Sequence, residues 1–309
     1  MRGGHFVNTQ FNKPKGFGEI LDFTFRLSKN RFSDFFKIFL LLMGPLYILE
    51  AIVLMAMGTR FFKEDVVSGG LWYEELFSRL ETEGYTGTSS LGLDAGYILI
   101  LLGSIFLLPI AQASILIAVN HIRNNEEFTV GAVIKKAFKR FWAILGSSIL
   151  FGLMIFALAI IPILLITFGG IFAIEWNPIF GVLMIVLLCL GIAVGYFYIV
   201  TRWSFYFGSV TLKEGTPGFS RSWNLTKKRG WVIVGIYIIF SLIISSISSA
   251  IEISLTLFLG SSVLLTMIVN FVTLITTMIF SVGYAIMYFD LKTRHDADDI
   301  KDMLDEYTV

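Results

Sequence analysis

The amino-acid sequence predicts an all-α integral membrane protein with six transmembrane helices. Hydrophobic residues make up 56% of the 309 residues, charged residues only 15%, and the hydrophobic residues are gathered in six long runs. Ordinary globular domains carry roughly 25% charged residues. A run of about 20 apolar residues crosses a bilayer as a helix. We therefore expect one six-span membrane domain over residues 1–289, followed by an acidic cytoplasmic tail over 290–309.

The six runs define the predicted spans, and polar or turn-forming residues separate them. The spans are 37–58, 96–119, 142–168, 179–201, 231–257 and 263–289. Gly169-Gly170 with Asn177-Pro178 separates the third span from the fourth, and Gly260-Ser261-Ser262 separates the fifth from the sixth. Short connections join antiparallel neighbours, so the spans are expected to form three hairpins.

The positions of Lys and Arg predict the orientation, because cytoplasmic loops retain an excess of these residues. Residues 1–37, 120–141, 202–230 and those after Phe289 carry 21 of the 24 Lys and Arg. The other three lie in the 59–95 loop with seven acidic residues. Both termini are therefore expected on the cytoplasmic side of the cell (plasma) membrane. The first 19 residues lack the apolar run of a signal peptide, so the first span is expected to direct insertion.

A cytoplasmic amphipathic helix lying along the membrane surface is predicted before each hairpin. In the middle one, over 130–141, apolar residues recur every three or four positions, and the opposite face carries Lys135, Lys136, Lys139 and Arg140. A basic face behind an apolar stripe suits anionic lipid, so these four residues are predicted to contact headgroups. The third helix covers 219–231. The first covers 18–32, with its apolar residues at Ile20, Leu21, Phe25 and Leu27.

Two segments outside the spans are also expected to be amphipathic. In the 59–95 loop, a short helix on the outer leaflet would place Leu71, Trp72, Leu76, Phe77 and Leu80 toward lipid. In the tail, a narrow apolar stripe on an acidic helix is formed by Ile300, Met303, Leu304 and Tyr307. The tail is either solvated or docked, on the basic loops of this chain or on a partner.

Polar residues within the spans are candidate functional residues, because a charge in hydrocarbon is costly. Glu50 lies in the first span and Glu252 in the fifth. The face of Glu252 also carries Ser241, Ser245, Ser248 and Ser249, and a polar stripe on the sixth span comprises Thr266, Asn270, Thr273, Thr277 and Ser281. These stripes either pack together or form a path for a solute or proton. Distances from the turn at Gly260 predict a hydrogen bond between protonated Glu252 and Asn270, with Thr266 as the second choice.

The inventory of reactive residues argues against catalysis. Cys189 is the only cysteine and lies in an apolar run, where it is expected to be a packing residue. His5, His121 and His295 lie in three segments, and none has a second His or Cys at metal-ligand spacing. No glycine-rich phosphate loop or nucleophile elbow is present in the sequence. We therefore expect no enzymatic activity, no metal, no cofactor and no nucleic-acid partner.

Two segments carry a family resemblance: GFGEILDFTFRLSKNRF at 16–32 and RWSFYFGSVTLKEGTPGFSRSWNLTKKRGW at 202–231. Both are similar to the prokaryotic membrane-domain family named after glycerophosphoryl diester phosphodiesterase. In the second segment the family pattern falls on Arg202, Trp203, Glu214 and Ser222. With six spans the resemblance covers most of the chain, and it implies a shared membrane fold.

The chain also departs from that family's pattern. Members often carry prolines just after the Arg-Trp pair, where this chain has Tyr206 and Phe207. The phosphodiesterase domain that some members carry begins its metal site with His-Arg-Gly, which this sequence lacks. The resemblance therefore implies neither esterase activity nor catalytic residues here.

Three functional hypotheses follow. The leading one is a non-enzymatic accessory or scaffold component of a bacterial membrane system for export or lipid handling, which contacts anionic lipid and another membrane or ATPase component. The alternative is a small-solute or ion transporter or channel that uses the polar faces of spans five and six. Prolines within spans one to three support it, because they can break helices around a site. An intramembrane lipid-modifying enzyme is the third.

Overall fold

The computed structural model describes residues 11, 14–62, 91–176, 178–260 and 262–307, and these form ten helices. The helices are α1 (Phe17–Asn30), α2 (Phe32–Ala56), α3 (Leu91–Arg123), α4 (Val130–Phe138), α5 (Phe141–Trp176), α6 (Pro178–Trp203), α7 (Tyr206–Thr211), α8 (Phe219–Leu225), α9 (Gly230–Leu259) and α10 (Val263–Tyr307). No strand occurs in these ranges. The prediction of an all-α fold is confirmed.

Six of these helices are long and apolar enough to cross a membrane, as predicted. The qualifying segments are Phe32–Ala56, Gly96–Arg123, Phe141–Phe168, Ile179–Thr211, Gly230–Thr256 and Val263–Ala297. Each contains one of the predicted spans, or all but its last one or two residues. The chain is a multi-pass membrane protein.

Several helix ends differ from the prediction. Gly169-Gly170 does not end the third span, because α5 continues to Trp176. The sixth span and the tail are one helix, since α10 is unbroken to Tyr307. The predicted 219–231 surface helix is only the seven-residue α8, which a turn separates from α9. The side chains of the tail stripe and the proposed helix within 63–90 lie outside the described residues.

The two longer surface helices begin where side chains satisfy their free N–H groups. In α1 the Glu19 carboxylate accepts the Gly16 N–H at 2.7 Å, and in α4 the Thr129 hydroxyl accepts the Ala132 N–H at 3.3 Å. On α1, Ile20, Phe23 and Leu27 are buried, whereas Phe25, one of the predicted apolar residues, is 39% exposed. Phe23 follows Ile20 by three residues, so it shares the face that packs inward.

The hydrophobic core lies at one end of the helix bundle, where α2, α5 and α9 begin and α3 and α6 end. We call this the basic end, because the predicted cytoplasmic segments meet there. Its largest fully buried side chains include Phe35, Phe39, Phe205, Tyr288 and Phe289. Helix α10 is central, packing against α1, α2, α3, α8 and α9. Helices α5 and α6 pack mainly on each other, and α5 also contacts α3 and α7.

Candidate functional site

The connection between α6 and α9 folds back into the basic end. The short helix α7 is buried along its whole length, and α8 follows after a loop. Gly218 has φ +80°, and a Cβ there would lie 2.8 Å from the Tyr206 carbonyl oxygen, so glycine is required at this bend. Of the four residues that carry the family resemblance, Glu214 and Ser222 lie in this connection, and Arg202 and Trp203 are the last two residues of α6.

Arg202 joins the end of α6 to α8. Its side chain is buried, its Nε donates to the Thr226 hydroxyl at 3.2 Å, and its Nη2 donates to the Trp223 carbonyl at 2.9 Å. The guanidinium lies 3.6 Å from the centroid of the Trp223 ring, a cation–π contact. Ser222 returns a hydrogen bond, since its hydroxyl donates to the Arg202 carbonyl at 2.6 Å. These contacts fix the direction of α8.

Glu214 joins the loop before α8 to α10. Its carboxylate accepts hydrogen bonds from the Tyr288 hydroxyl at 2.7 Å, from Arg221 Nε at 2.8 Å, and from the Lys292 ammonium. Burial raises the pKa of Glu214, but the hydrogen bonds from Lys292 and Tyr288 and the nearby positive charges outweigh it. The pKa therefore lies below its ordinary value of 4.5, and the side chain is a carboxylate at neutral pH.

Helix α7 and α10 approach each other at a glycine. A Cβ on Gly208 would lie 2.3 Å from the Tyr288 ring, so only glycine allows this contact. The Gly208 N–H donates to the Tyr284 hydroxyl at 3.0 Å, and that hydroxyl donates to the Ser204 carbonyl at 3.1 Å. The role of Glu214, Tyr284 and Tyr288 as one polar cluster was not predicted. Tyr284, Tyr288 and Lys292 are spaced four residues apart, which places them on one helix face. This spacing is the feature of the sequence from which the cluster could have been predicted.

A basic pocket of about 500 Å³ lies beside this cluster, between the turn after α8 and the end of the last span. Its walls carry the positive side chains of Lys227, Lys228, Arg229 and Arg294, together with His295. None of its described lining residues is acidic. The Arg294 guanidinium is held by Asp290 at 2.9 Å and by the Lys15 carbonyl at 2.7 Å, which fixes one wall. In the sequence these basic residues indicated only the orientation of the chain, and their convergence around one pocket was not predicted.

The basic residues of α4 divide into two groups. Lys135, Lys136 and Lys139 are exposed, whereas Val133 and Ala137 are buried. Arg140 differs, because it is half-buried and donates to the Val210 carbonyl of α7. Burial lowers the pKa of Arg140. Headgroup contact by these residues stays a prediction, and Arg140 already has a protein partner.

The polar residues of the spans are arranged differently from the prediction. Asn270 donates its amide N–H to the Glu50 carboxyl at 2.8 Å, so the expected hydrogen bond to Glu252 was wrong. The reason is that α10 packs against α2 as well as α9, and Asn270 points toward α2. Glu252 is exposed on α9, as are Ser245 and Ser249. The serines therefore do not pack against the α10 stripe.

The described residues hold no cluster of three or more His, Cys, Asp or Glu side chains that could bind a metal ion. His121 lies 2.5 Å from Glu126 at the turn after α3, and Cys189 is partly buried in α6. The described part of the basic end carries the positively charged pocket lined by Lys227, Lys228, Arg229 and Arg294. No family model, no curated protein and no solved structure matches this chain.

Proposed function

We propose that this protein is a non-enzymatic, lipid-binding membrane protein that holds the phosphate of an anionic lipid headgroup in its basic pocket. The observation that carries the proposal is the convergence of Lys227, Arg229 and Arg294 around about 500 Å³ of space. Lys and Arg pair favourably with phosphate oxygens, and clusters of them beside a membrane helix are typical of anionic-lipid binding.

The level of the pocket favours a lipid over a soluble phosphate. Arg229 directly precedes α9, and two residues later Trp231 is 62% exposed. Trp142, at the start of α5, is 80% exposed. Exposed Trp residues at helix ends are typical of the headgroup level of a bilayer. The pocket therefore lies where headgroups are, and an accessory role in an export or lipid-handling system is the function we favour.

Native mass spectrometry of the detergent-solubilised protein tests this proposal. Phosphatidylglycerol should bind at least tenfold more tightly than phosphatidylcholine, and the Lys227→Gln/Arg229→Gln variant should lose that preference, since each basic group contributes about 1 kcal/mol. The matched control is Lys135→Gln/Lys139→Gln, which removes the same charge from α4. Equal loss of the phosphatidylglycerol preference in both variants would mean that general surface charge, and not the pocket, selects the lipid. If inorganic phosphate competed equally well for the pocket, the pocket would be a site for soluble phosphate.

We also propose that the basic end faces the cytoplasm of a cell membrane, on the strength of the distribution of Lys and Arg. In a Cys189→Ser background, a cysteine replacing Gly84 should react with an impermeant thiol reagent in intact cells. A cysteine replacing the exposed Glu127 should react only after permeabilisation. The opposite labelling pattern overturns this orientation.

A transporter is the second candidate, and one observation favours it. Ser245, Ser249 and Glu252 on α9 are exposed and do not pack against the polar stripe of α10, which supports a polar path along α9.

A further inference from the structure

A second cavity, of about 280 Å³, lies deeper in the bundle than the basic pocket. It is lined by residues of α3, α5, α7, α9 and α10 and of the turn before α7: Gln112, Phe151, Ser204, Tyr206, Phe207, Tyr237, Phe280, Ser281 and Tyr284. None of these side chains is charged at neutral pH. Tyr237 follows the exposed Trp231 by six residues, about 9 Å along the helix, which places the cavity at hydrocarbon depth.

The hydroxyl groups of the cavity have already donated their hydrogens to the protein. Tyr284 donates to the Ser204 carbonyl at 3.1 Å, Tyr206 to Ser148 at 3.1 Å, and Ser281 to the Thr277 carbonyl at 2.7 Å. Ser204 donates to the Thr201 carbonyl at 2.8 Å, so Tyr237, 3.2 Å away, donates to Ser204. The oxygens keep free lone pairs, which suits a ligand with hydrogens to donate.

Gln112 adds the missing donors. Its side chain lines the cavity and has no hydrogen-bond partner among the described residues. A side-chain amide offers two N–H donors and one acceptor, and those of the partly buried Gln112 are open to the cavity. Gln112 with the surrounding hydroxyl oxygens is therefore suited to a hydroxyl group and a carbonyl oxygen on one ligand.

The polar stripe of α9 runs outward from this cavity. Ser241, Ser248 and Glu252 follow Tyr237 by 4, 11 and 15 residues, so at about 100° per residue they lie within about 60° of its direction. The other exposed side of α9, about 140–160° from Tyr237, carries Leu242 and Ile253. That side is mixed rather than apolar, because the exposed Ser246 also lies on it, about 180° from Tyr237.

Helices α10 and α5 also border the space above the cavity. Thr277 precedes Ser281 by four residues and lies within about 40° of its direction, whereas Asn270, farther along α10, points toward α2 and bonds to Glu50. Helix α5 packs on α3, α6 and α7 but makes no extensive contact with α9 or α10 in the described ranges. From 149 to 166 it carries no polar side chain. Helix α5 therefore offers an apolar surface beside the cavity, and Ser241, Ser248 and Thr277 extend the polar lining of the cavity along α9 and α10.

We propose that this cavity binds the uncharged, hydroxyl-bearing head of a neutral glycerolipid such as a diacylglycerol, with its chains lying against α5. At about 30 Å³ per water-sized group, 280 Å³ holds about nine non-hydrogen atoms. That is the size of a glycerol ester head and excludes a whole lipid. The lack of charge excludes a phosphate, which is the ligand class of the basic pocket. The two sites are independent.

Photolabelling in lipid nanodiscs tests this inference. A diazirine-bearing diacylglycerol should label peptides containing Phe151, Tyr237 or Phe280, and dioleoylglycerol should compete at least fivefold better than trioleoylglycerol, which has no hydroxyl. Equal competition by the two would leave only an unspecific apolar site and overturn the proposal. Competition by millimolar glycerol alone would also overturn it, in favour of a soluble polyol.

A variant comparison provides the second arm. Gln112→Leu keeps the side-chain size and should weaken dioleoylglycerol competition about fivefold, the typical effect of one lost neutral hydrogen bond. Thr167→Val, a polar-to-apolar change on the exposed surface of α5, should have no effect. Unchanged competition in Gln112→Leu overturns the role of the amide. Lys227→Gln/Arg229→Gln should leave labelling unchanged, so failure of the phosphate proposal and failure of this one are distinguishable.

Discussion

The basic end of the bundle and the α5–α6 pair are built on opposite principles. A third of the most apolar stretch of α2 is buried in the protein. None of the most apolar stretch of α5 is buried, although α5 is the more hydrophobic helix. At the basic end, large aromatic residues and charged residues such as Arg202 and Glu214 are held by hydrogen bonds to other segments. Hydrophobicity in this protein therefore does not identify the core. The most apolar of the six helices is the least buried, and the core is where polar groups are satisfied.

This contrast separates a rigid platform from an open cleft. The platform orients the walls of the basic pocket, because Arg294 and α8 are fixed by contacts to other segments. The cleft between α5 and the α9–α10 pair remains without extensive packing in the described ranges. Fixed walls and an accessible side are both needed for a site that exchanges lipid with a bilayer. Four comparisons between variants test the contrast.

Gly208→Ala should give the largest effect, because the new Cβ would lie 2.3 Å from the Tyr288 ring. Overpacking of this kind costs typically 1–3 kcal/mol, and a contact so short should reach the upper part of that range. The control is Gly191→Ala on α6, where nothing lies within 4 Å of the added atom. It should be neutral or stabilising by up to about 1 kcal/mol, since Ala favours helix. Thermal unfolding in detergent measures both, and equal losses would refute the contrast between the two regions.

Arg202→Lys should destabilise the protein by about 2 kcal/mol. A lysine can replace neither the planar stacking on Trp223 nor the two directed hydrogen bonds of the guanidinium. Arg31→Lys is the control, since Arg31 is exposed and its 3.6 Å ion pair with Asp34 contributes little. Thermal unfolding compares the two. If Arg202→Lys behaves like Arg31→Lys, charge alone matters at position 202.

Much of the fold could be predicted from sequence because membrane spans are local features. Twenty apolar residues cross a bilayer whatever surrounds them, so the six helices followed from composition alone. The partner of each helix did not follow. Glu252 and Asn270 are at similar distances from Gly260, yet Asn270 bonds to Glu50, 220 residues away in the chain. The basic pocket and the cavity are missed for the same reason, since each is assembled from segments distant in sequence.

Acidification should weaken the platform through Glu214. Because its folded pKa is below 4.5, the carboxylate contributes stability that is complete above the unfolded pKa and is lost as pH falls below about 4.5 through the folded value. Glu214→Gln should be less stable at pH 7 by about 1 kcal/mol and should show a flatter pH profile. Melting temperatures between pH 3 and 7 measure this. The control Glu127→Gln changes an exposed residue and should keep the wild-type dependence of melting temperature on pH. If Glu214→Gln also kept that dependence, Glu214 would not be the group that causes it.

The smallest expected effect belongs to the Glu50–Asn270 pair, which lies within the spans and away from the basic end. The amide of Asn270 is 2.8 Å from the Glu50 carboxyl, and both side chains are partly buried. Hydrogen bonds between membrane helices contribute on average about 0.6 kcal/mol, because the separated helices find other partners. Asn270→Ala and Glu50→Ala should therefore each cost about that much, and the double variant should cost less than the sum.

Steric trapping or unfolding in mild detergent resolves such differences when the single and double variants are compared in one cycle. Thr273→Ala, on an exposed position of α10, is the control and should be additive with Glu50→Ala. A coupling above about 2 kcal/mol would show that α2 and α10 are held together as firmly away from the basic end as at it, and the restriction of firm polar contacts to the platform would then be wrong.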